Sequence, residues 1–369
     1  MRPRLVILVL DGFCPRHCTR AVSPHLISMQ KAGAYAPDGG RAVLPSSTYP
    51  NHASLATGME PIHHGILANN TFTDEGVKPA QEVGARGTTF LDAAAEHGLI
   101  TGVAVGDGNI IGVVGATRAH QHWPPQGVIP SGTPLVRGYA ENATTFGQLF
   151  KMIKEGVDVA LCQLDNTDGI SHLFGPDSPE AIAAHEGADR LLGELVHALQ
   201  GDGRWHETIL CVLSDHSQIP TGNDMPAIDL PRILSQNGLS SEVIEEGSAA
   251  LIRCRDLVAC RAVLEEVEGV SEVGVFTSNI LYAYASPGRG FATRKPLSRG
   301  IHGGPETTPT ICVATGGHPR LSSVGAALRA SVPTSATVIP LLMDAVQVPW
   351  SRTHLASPPA SDARAMPIE

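Results

Sequence analysis

The amino-acid sequence predicts a three-layer αβα fold with a largely parallel central sheet. Four short runs of aliphatic, often β-branched residues recur along the chain without polar alternation, at residues 5–10, 100–105, 157–164 and 208–213. Such runs are typical of parallel strands that are covered on both faces. Helical patterns lie between them, for example at 90–97, and an alternation of strands and helices predicts layered α/β architecture.

Each predicted strand runs directly into acidic residues. Asp11, Asp107 and Asp215 follow three of the strands, and Asp165 with Asp168 follows the other. A single Asp in this place is usually a turn or helix-cap residue. In open parallel sheets, however, ligands bind at the carboxyl ends of the strands. Four strands that deliver carboxylates to one edge therefore predict a site there.

The two longer helical patterns, at 145–154 and 179–199, belong to the same alternating part of the chain. Between residues 225 and 295 the segments become shorter and mixed in type. This change predicts a small α+β cap inserted into the main domain. The cap contains a helical pattern and three strand-like stretches, at 257–266, 249–252, 270–276 and 280–285.

A chain of 369 residues exceeds the usual size of a single core, so its length predicts either one large domain with an insertion or two domains. The mixed segment favours the insertion. The catalytic α/β domain is predicted to span 1–224 and 296–350. It resumes near His302 and adds another buried strand at 310–314. The Pro-, Ser- and Ala-rich residues 351–369 predict a loosely ordered tail.

Composition and charge exclude several function classes. The net charge of -10 gives no basic face for nucleic acid. No apolar run approaches the roughly 18 residues of a membrane helix, and the first strand is too short for a signal-peptide core. The 7 cysteines show no disulfide-framework spacing. We expect a cytoplasmic protein with a small-molecule substrate, and the sequence leaves the oligomeric state open.

The segment 46–58 holds the densest group of polar side chains, with Thr48 near its start. Thr48 is interpretable as a helix N-cap with Pro50 in the first turn. The alternative is a catalytic hydroxyl beside free backbone N–H groups, which favour a bound anion. Local sequence leaves both interpretations open.

Carboxylates and imidazoles recur at the predicted edge of the sheet. Three of each type make a mixed oxygen and nitrogen ligand set that borderline ions such as Zn²⁺ accept. Six ligands divide naturally between two ions. The candidates are Asp11, Asp168, His172, Asp215, His216 and His302. A separate metal cluster at Cys14 and Cys18 is disfavoured, because no second ligand pair follows at a suitable spacing.

In their order along the chain, these blocks resemble the alkaline phosphatase superfamily. Within it they are similar to the nucleotide pyrophosphatase/phosphodiesterase and phosphonoacetate hydrolase branches. The matching blocks are Asp11-Gly12, Thr48-Tyr49-Pro50-Asn51-His52 with Thr57-Gly58, His64-Gly65-Ile66, Asp168 and His172 with Gly175-Pro176, Ser214-Asp215-His216, and Gly300, His302 and Gly303.

The resemblance implies two divalent metal ions, with Zn²⁺ expected and Mn²⁺ as the alternative. It implies one ion on Asp168, His172 and His302. The second ion would be held by Asp11, Asp215 and His216, with the Thr48 oxygen also on it. Asn69 matches the phosphate-binding Asn of the family.

The chemistry that follows is hydrolysis through a phospho-Thr48 intermediate. A threonine hydroxyl is a weak nucleophile at neutral pH, and a dication stabilises its alkoxide. The Asn69 amide would bind the non-bridging oxygens as charge shifts in the transition state. Because Asn is neutral where monoesterases place Arg, a phosphodiester or nucleotide pyrophosphate is the favoured substrate. Tyr49, Phe72 and Phe174 are candidates for stacking on a base, with ordinary packing as the alternative.

Several alternative functions stay open. Phosphonoacetate hydrolases hold their substrate with two lysines, and residues 105–109 contain none, so C–P cleavage is the runner-up together with phosphomonoester hydrolysis. True sulfatase chemistry is disfavoured because the signature around the nucleophile is absent. A non-catalytic phospho-ligand binding protein and a phospho-transfer mutase represent other classes, although no ligand or nucleophile is missing here.

Other polar residues have simpler interpretations. His64, beside a glycine turn, is expected to be structural. His185 and His197 lie on the predicted helix 179–199, where a solvated face is expected. Asp165 competes with Asp168 as a ligand, but the spacing to His172 favours Asp168, and Asp107 is expected to support a turn or a ligand.

Overall fold

The computed structural model describes residues 3–222, 227–293 and 297–351. The strands in these residues are β1 (Arg4–Leu10), β2 (Ala34–Tyr35), β3 (Gly40–Arg41), β4 (Asn70–Thr73), β5 (Gly76–Pro79), β6 (Thr101–Val105), β7 (Gln121–Trp123), β8 (Leu135–Val136), β9 (Tyr139–Ala140), β10 (Val159–Leu164), β11 (Thr208–Leu213), β12 (Ile219–Pro220), β13 (Ser241–Glu246), β14 (Ala249–Cys254), β15 (Val270–Thr277), β16 (Ile280–Ala285), β17 (Gly300–Ile301), β18 (Pro309–Thr310) and β19 (Cys312–Gly316).

The helices alternate with these strands along most of the chain. They are α1 (Pro24–Ala32), α2 (Thr48–Thr57), α3 (Pro61–His64), α4 (Ala80–Val83), α5 (Phe90–Glu96), α6 (Asn109–Val113), α7 (Asn142–Lys154), α8 (Asn166–Phe174), α9 (Pro179–Gly201), α10 (Leu230–Gln236), α11 (Leu257–Glu265), α12 (Leu321–Ala330) and α13 (Val338–Ala345). Within the described part of the chain, no helix is long and apolar enough to span a membrane.

A seven-stranded sheet forms the middle layer, in the order β2-β19-β11-β1-β10-β6-β7. The strands from β11 to β7 are parallel, whereas β19 and β2 add antiparallel pairs at one edge. At the centre, Leu5 of β1 pairs with Val159 of β10 on one side and Ile209 of β11 on the other. The predicted, largely parallel sheet is therefore confirmed, and the four strands predicted first are adjacent within it.

Helices cover both faces of this sheet. Leu5, Ile7 and Val9 of β1 belong to a cluster with α2, α5, α6, α12 and α13. Val6 and Leu8 face the opposite way, into a cluster with α1, α7 and α9. All residues of β1 are buried, which explains its continuous apolar run. The predicted three-layer architecture is confirmed.

A second, smaller sheet lies within residues 227–293, with the antiparallel order β13-β14-β16-β15. Together with α10 and α11 it buries its own apolar cluster, so this segment has the predicted α+β character. Strand β13 and helix α10 were not predicted, because β13 is half acidic and α10 contains a proline in only 7 residues. The predicted domain borders touch residues 223–226 and 294–296, which lie outside the described residues, and the borders stay predictions.

The predicted strand at 310–314 is wrong in its extent. Thr310 ends β18 and pairs with Gly40, whereas Val313 in β19 pairs with Val212 of the central sheet. The chain changes partner between these residues, so one apolar run supplies two strands. The predicted tail falls almost wholly on residues 352–369, outside the described residues.

Candidate two-metal active site

The six ligands expected from the sequence lie together at the carboxyl edge of the central sheet. Asp11 directly follows β1, and Asp215 and His216 follow β11 within two to three residues. Asp168 and His172 belong to α8, which begins just after β10. The remaining ligand, His302, directly follows β17. The strand ends thus position side chains that are up to 291 residues apart in sequence, as 302 minus 11 gives.

Helix α8 supplies two ligands from one face. Asp168 and His172 are four residues apart, which places them on adjacent turns of the helix. Asp168 Oδ2 lies 3.4 Å from His172 Nε2, and Asp168 Oδ1 lies 3.7 Å from His302 Nε2. The Gln218 side-chain amide donates to Asp168 Oδ1 over 2.5 Å and orients this carboxylate. These residues form the first ligand group.

The second group surrounds His216. Its Nε2 lies 3.5 Å from Asp11 Oδ1 and 3.6 Å from Asp215 Oδ2. The hydroxyl of Thr48 approaches the same nitrogen to 3.2 Å. The structure therefore places the expected nucleophile against the expected second ligand set.

Hydrogen bonds to backbone carbonyls fix the tautomers of the three imidazoles. Nδ1 of His172 contacts Gly300 O at 2.7 Å, Nδ1 of His302 contacts Ser46 O at 3.1 Å, and Nδ1 of His216 contacts the Ser217 carbonyl at 3.2 Å. Because a carbonyl only accepts, each Nδ1 carries the proton and each Nε2 presents its lone pair.

The unprotonated Nε2 atoms of His172 and His302 face each other. Their Nε2 atoms lie 3.2 Å apart, and two lone pairs at that distance repel unless a proton or a cation lies between them. Metal-bound histidines typically donate their other nitrogen to a carbonyl in this way. The residues present fit a metal ion at this position.

The electrostatics of the site also fit cations. Burial lowers the pKa of His172 and His216 to about 4 and that of His302 to about 3, so these rings are neutral at pH 7. Burial and then the neighbouring carboxylates raise the pKa of Asp11, and burial raises that of Asp215 to about 6. Asp11 Oδ1 and Asp215 Oδ2 are buried and accept no hydrogen bond from any described residue. A dication would compensate these buried charges.

Thr48 is not the helix cap that one interpretation of the sequence suggested. Helix α2 begins at Thr48 itself, its N-cap is Ser47, and no side chain caps it. The Thr48 hydroxyl faces His216 instead of the helix N–H groups, so the cap interpretation is wrong.

His52 was not predicted as part of the site, although it stands in the same block of sequence. Its Nδ1 contacts the Thr48 carbonyl at 2.9 Å and lies 3.5 Å from Asp215 Oδ2. Among the described residues, the side chains whose ligand atoms are close enough to share an ion group His52 with Asp11 and Asp215, whereas His216 is grouped with Asp11 and Asp168. The expected second set of Asp11, Asp215 and His216 is thus divided between two groups. The spacing of four residues from Thr48 on one helix was the available signal.

Asn69 lies beside the nucleophile and is fixed from two sides. Its Oδ1 accepts the Tyr49 N–H at 3.1 Å, which leaves the amide NH₂ group available as a donor. Its own N–H donates to Glu246 Oε1 at 2.9 Å. Glu246 is buried at the end of β13, and burial raises its pKa to about 7. Glu246 was not predicted as a site residue because the strand that carries it, β13, was not predicted either.

The cap also holds the loop of His302. Ser248 N donates to His302 O at 2.8 Å. Gly303 adopts a φ of +117°, and a Cβ there would lie 1.9 Å from the Glu246 carbonyl oxygen. Only glycine permits this close backbone approach, so residues 246–248 are seated directly on the ligand loop.

A cavity of about 470 Å³ opens over these groups. Thr48, Asn69, Asp168, His172 and His302 line it together with Tyr49. Three further lining residues were not predicted from sequence, namely Arg137, Tyr139 and Glu246.

Tyr49 is the one predicted aromatic residue that lines this cavity among the described residues. Its hydroxyl donates to Asp107 Oδ2 at 2.8 Å and accepts from the Asn109 side chain at 2.9 Å. Asp107 also accepts the Asn109 N–H at 2.9 Å, so it supports both a turn and a cavity residue. The ring of Tyr49 is thereby fixed in orientation.

The structure does not bring Phe72 and Phe174 to the cavity. The Phe72 side chain packs on an apolar cluster between the main domain and the cap. Its ring centroid lies 4.8 Å from Arg253 Cζ. Phe174 ends α8 and is 44% exposed. Their predicted stacking role has no support from these positions.

Two of the remaining histidines are buried. His64 Nε2 bonds to Ser54 Oγ at 2.9 Å, which agrees with a structural role. His185 packs between Phe13 and His17, so the expected solvated position is wrong for this residue. His197 is exposed. None of the ligand groups found among residues 3–222, 227–293 and 297–351 includes Cys14 or Cys18.

Residues 5–288 match the family model described as type I phosphodiesterase / nucleotide pyrophosphatase. The chain belongs to this family. An uncharacterized pyrophosphatase/phosphodiesterase of Schizosaccharomyces pombe is 28% identical over 60% of this chain and 46% of the relative. The bis(5'-adenosyl)-triphosphatase of Xenopus laevis is 25% identical over 60% of this chain and 48% of that protein. The matches thus span about half the length of these relatives.

Solved structures of low sequence identity share the fold over nearly the whole chain. An inactive variant of murine ectonucleotide pyrophosphatase/phosphodiesterase 5, in complex with AMP, has a TM-score of 0.73 at 18% identity and covers 96% of both chains. Phosphonoacetate hydrolase from Sinorhizobium meliloti has a TM-score of 0.71 at 20% identity, covering 94% of this chain and 96% of the other. The predicted superfamily resemblance is confirmed.

Proposed function

We propose that this member of the family is a two-metal phosphodiesterase or nucleotide pyrophosphatase-type hydrolase that acts through Thr48. The observation that carries the proposal is the position of Thr48 Oγ1, 3.2 Å from His216 Nε2, in a cavity lined by Asn69, Asp168, His172 and His302. The names of two relatives, a pyrophosphatase/phosphodiesterase and a bis(5'-adenosyl)-triphosphatase, support the same class of reaction.

Two divalent ions would be held by Asp168, His172 and His302, and by Asp11, Asp215 and His216. Zn²⁺ is the proposed metal, with Mn²⁺ as the alternative, because the donor set mixes carboxylates with neutral imidazoles. When bound, such ions stabilise the nucleophile's alkoxide and the charge on the leaving oxygen. The rest of the reaction is carried by residues of the chain.

Thr48 Oγ1 gives its proton to solvent and forms a bond to phosphorus, while the bond from phosphorus to the leaving oxygen breaks and the leaving group departs, protonated from solvent where its basicity requires it. The NH₂ group of Asn69 donates to a non-bridging oxygen, since its carbonyl oxygen is occupied by the Tyr49 N–H. A water molecule then attacks phosphorus in the phospho-Thr48 intermediate, the bond from phosphorus to Oγ1 breaks, and Oγ1 recovers a proton that the attacking water releases. A neutral Asn at this position leaves room for an esterified oxygen, which favours diesters over monoesters.

The substrate would extend from the phosphate into the cavity beside Tyr49. Because its hydroxyl is held by Asp107 and Asn109, the ring offers a rigid face for a nucleobase. Tyr139 lines the same cavity and offers a second aromatic surface. We propose a small nucleotide-like phosphoester as the substrate.

Cytoplasmic residence remains a proposal as well. The seven cysteines are all free thiols and most are buried, which suits a reducing compartment.

A substrate panel tests this function. The metal-loaded protein is assayed with bis-p-nitrophenyl phosphate, p-nitrophenyl phosphate and phosphonoacetate, and its metal content is measured in parallel. We expect two metal equivalents and the highest kcat/KM for the diester. A wide preference for the monoester would contradict the role of Asn69, and a preference for phosphonoacetate would support C–P hydrolysis instead. No metal and no turnover would favour a phospho-ligand binding protein.

A further inference from the structure

The cavity contains one arginine that the proposed reaction does not use. We propose that Arg137 forms an anion subsite for a second negatively charged group of the substrate, a phosphate or a carboxylate distinct from the phosphate that Thr48 attacks. The inference deepens the proposed function of this cavity and rests on it.

The backbone at Arg137 is unusual. Strands β8 and β9 pair Val136 with Tyr139, so Arg137 and Gly138 form a two-residue hairpin turn. Both have positive φ, +52° for Arg137 and +94° for Gly138. A turn of this type favours Asn-Gly, because L side chains rarely adopt positive φ. Arginine at the first position is an unfavourable choice for the turn alone, and such local strain is commonly associated with function.

The hairpin is seated next to the first ligand group. Gly169 follows Asp168 in α8, and a Cβ at Gly169 would lie 3.5 Å from Val136 Cγ1 and 3.6 Å from Arg137 Cβ. The glycine lets the hairpin pack closely on the helix that carries Asp168. Arg137 is thereby anchored beside the ligands, and its side chain lines the cavity over them.

Arg137 lines the same cavity as His172 and His302, yet no side chain in the described part of the chain pairs with its guanidinium. Arg137 makes no hydrogen bond or ion pair with any residue in 3–222, 227–293 or 297–351. It is exposed, at the mouth of the cavity. Its guanidinium donors are therefore available to an incoming group.

A guanidinium suits phosphate or carboxylate for a geometric reason. Its planar fork donates two parallel hydrogen bonds to either anion. A group at this position would extend from the scissile phosphate toward solvent. The subsite would distinguish substrates with a second negative charge from simple diesters that lack one.

The alternative is that Arg137 only compensates the nearby carboxylates of Asp165 and Asp168, whose ionised forms its positive charge favours. A Cβ at Gly169 would also lie 3.3 Å from Asp165 Oδ2, so Asp165 and Arg137 share one neighbourhood. No ion pair joins them, however, and Asp165 Oδ2 has no hydrogen-bond partner among the described residues. A purely compensating role would affect all substrates alike.

Two matched substrate pairs test the inference with the metal-loaded enzyme. The first pair is p-nitrophenyl thymidine monophosphate and dTTP. Both retain thymidine monophosphate, and only the pyrophosphate leaving group of dTTP carries further negative charge. The second pair is p-nitrophenyl methylphosphonate and p-nitrophenyl carboxymethylphosphonate. Both release p-nitrophenolate, and the carboxylate places the second negative charge on the retained group. The variants are Arg137→Ala and Arg137→Lys, with Arg320→Ala as an exposed arginine control.

We expect R137A to lower kcat/KM about tenfold or more for the member of at least one pair that carries the second negative charge, and less than about twofold for the partner that lacks it. R137K should recover part of the loss. A selective loss in the first pair places the second anion on the leaving group, and a selective loss in the second pair places it on the retained group. As a readout independent of turnover, calorimetry in a Thr48→Ala background should show that R137A weakens binding of dTDP more than binding of dTMP, or of carboxymethylphosphonate more than of methylphosphonate.

Equal losses on both members of both pairs, or no loss on any substrate, would overturn the subsite. The proposed function fails separately, because it requires that the wild-type enzyme hydrolyse the p-nitrophenyl ester of thymidine monophosphate, which lacks the second negative charge. Hydrolysis of that ester without selective losses in R137A would remove the subsite and leave the function intact.

Discussion

The Nε2 atoms of His172 and His302 lie 3.2 Å apart although the Nδ1 atom of each ring contacts a backbone carbonyl. Both rings therefore direct lone pairs at one point. If a metal ion occupies that point, H172A and H302A should each lower the bound metal by about one equivalent per chain. Mass spectrometry of the metal content checks this, with H197A as the control on an exposed helix position. Two equivalents in both variants would contradict the assignment.

Tyr49 should bind the base of a nucleotide substrate. We expect Y49A to raise KM for a nucleotide diester about tenfold, because stacking on an aromatic ring contributes roughly 1–3 kcal/mol per base. Y49F loses the hydrogen bonds to Asp107 and Asn109 but keeps the aromatic ring, so it should raise KM less than Y49A does. Steady-state kinetics with F174A provide the comparison, since Phe174 lies outside the cavity. Equal effects of Y49A and F174A would place the base elsewhere.

Glu246 should position Asn69 from the cap. It accepts the Asn69 N–H at 2.9 Å, and E246A leaves that partly buried donor without its partner, at a cost of about 1 kcal/mol. We expect E246A to lower kcat about tenfold to a hundredfold with unchanged metal content, and E246Q to lower it less because the amide oxygen still accepts. E242Q, on the same strand but paired with Arg253, is the control. Unchanged kcat in E246A would contradict this positioning role.

His185 should make the stability of the protein depend on pH. Burial lowers its pKa from 6.5 to about 3, and His17 adds to the effect. Between these values the unfolded chain binds a proton that the folded protein does not, so the free energy of unfolding falls as the pH drops below 6.5. The slope is about 1.4 kcal/mol per pH unit.

The variant His185→Phe isolates this contribution. Its free energy of unfolding at pH 7.5 should be similar to or above that of the wild type, because both ring nitrogens of His185 lack partners among the described residues. Below pH 6.5 the two proteins should diverge, with the wild type losing stability faster. Parallel curves from denaturant titrations at pH 7.5, 6 and 5 would show that His185 does not titrate in this way.

Much of the fold was predictable because burial on both faces leaves a strong pattern. The strand Thr208–Leu213 and the strand Ile280–Ala285 have the predicted bounds. The single strand predicted at 310–314 was wrong, because apolar character does not show that the chain changes its pairing partner between Thr310 and Val313. Strand β13 was not predicted because it lies on an edge of the cap sheet and half of its residues are glutamates.

The candidate ligands were predictable for a different reason. Asp11, Asp168 and Asp215 follow strands whose carboxyl ends meet at one edge of the sheet, and the histidines share those loops. Arg137 and Glu246 were not predictable in this way. The position of Arg137 depends on a short hairpin, and that of Glu246 depends on how the cap packs against the loop of His302. His185 was misjudged since a helical pattern does not reveal that a neighbouring turn covers the polar face, as Phe13 and His17 do here.

The variant Thr48→Ala tests the central claim most directly. Metal content and diester turnover are measured on the same preparation, together with mass spectrometry of acid-quenched wild-type enzyme. We predict two metal equivalents, an unchanged melting temperature within about 2 °C, and a loss of turnover of about a thousandfold or more. Quenched wild-type enzyme should carry phosphate or its ester on Thr48. Unchanged turnover in T48A, with no phosphorylated Thr48 in the wild type, would contradict the account.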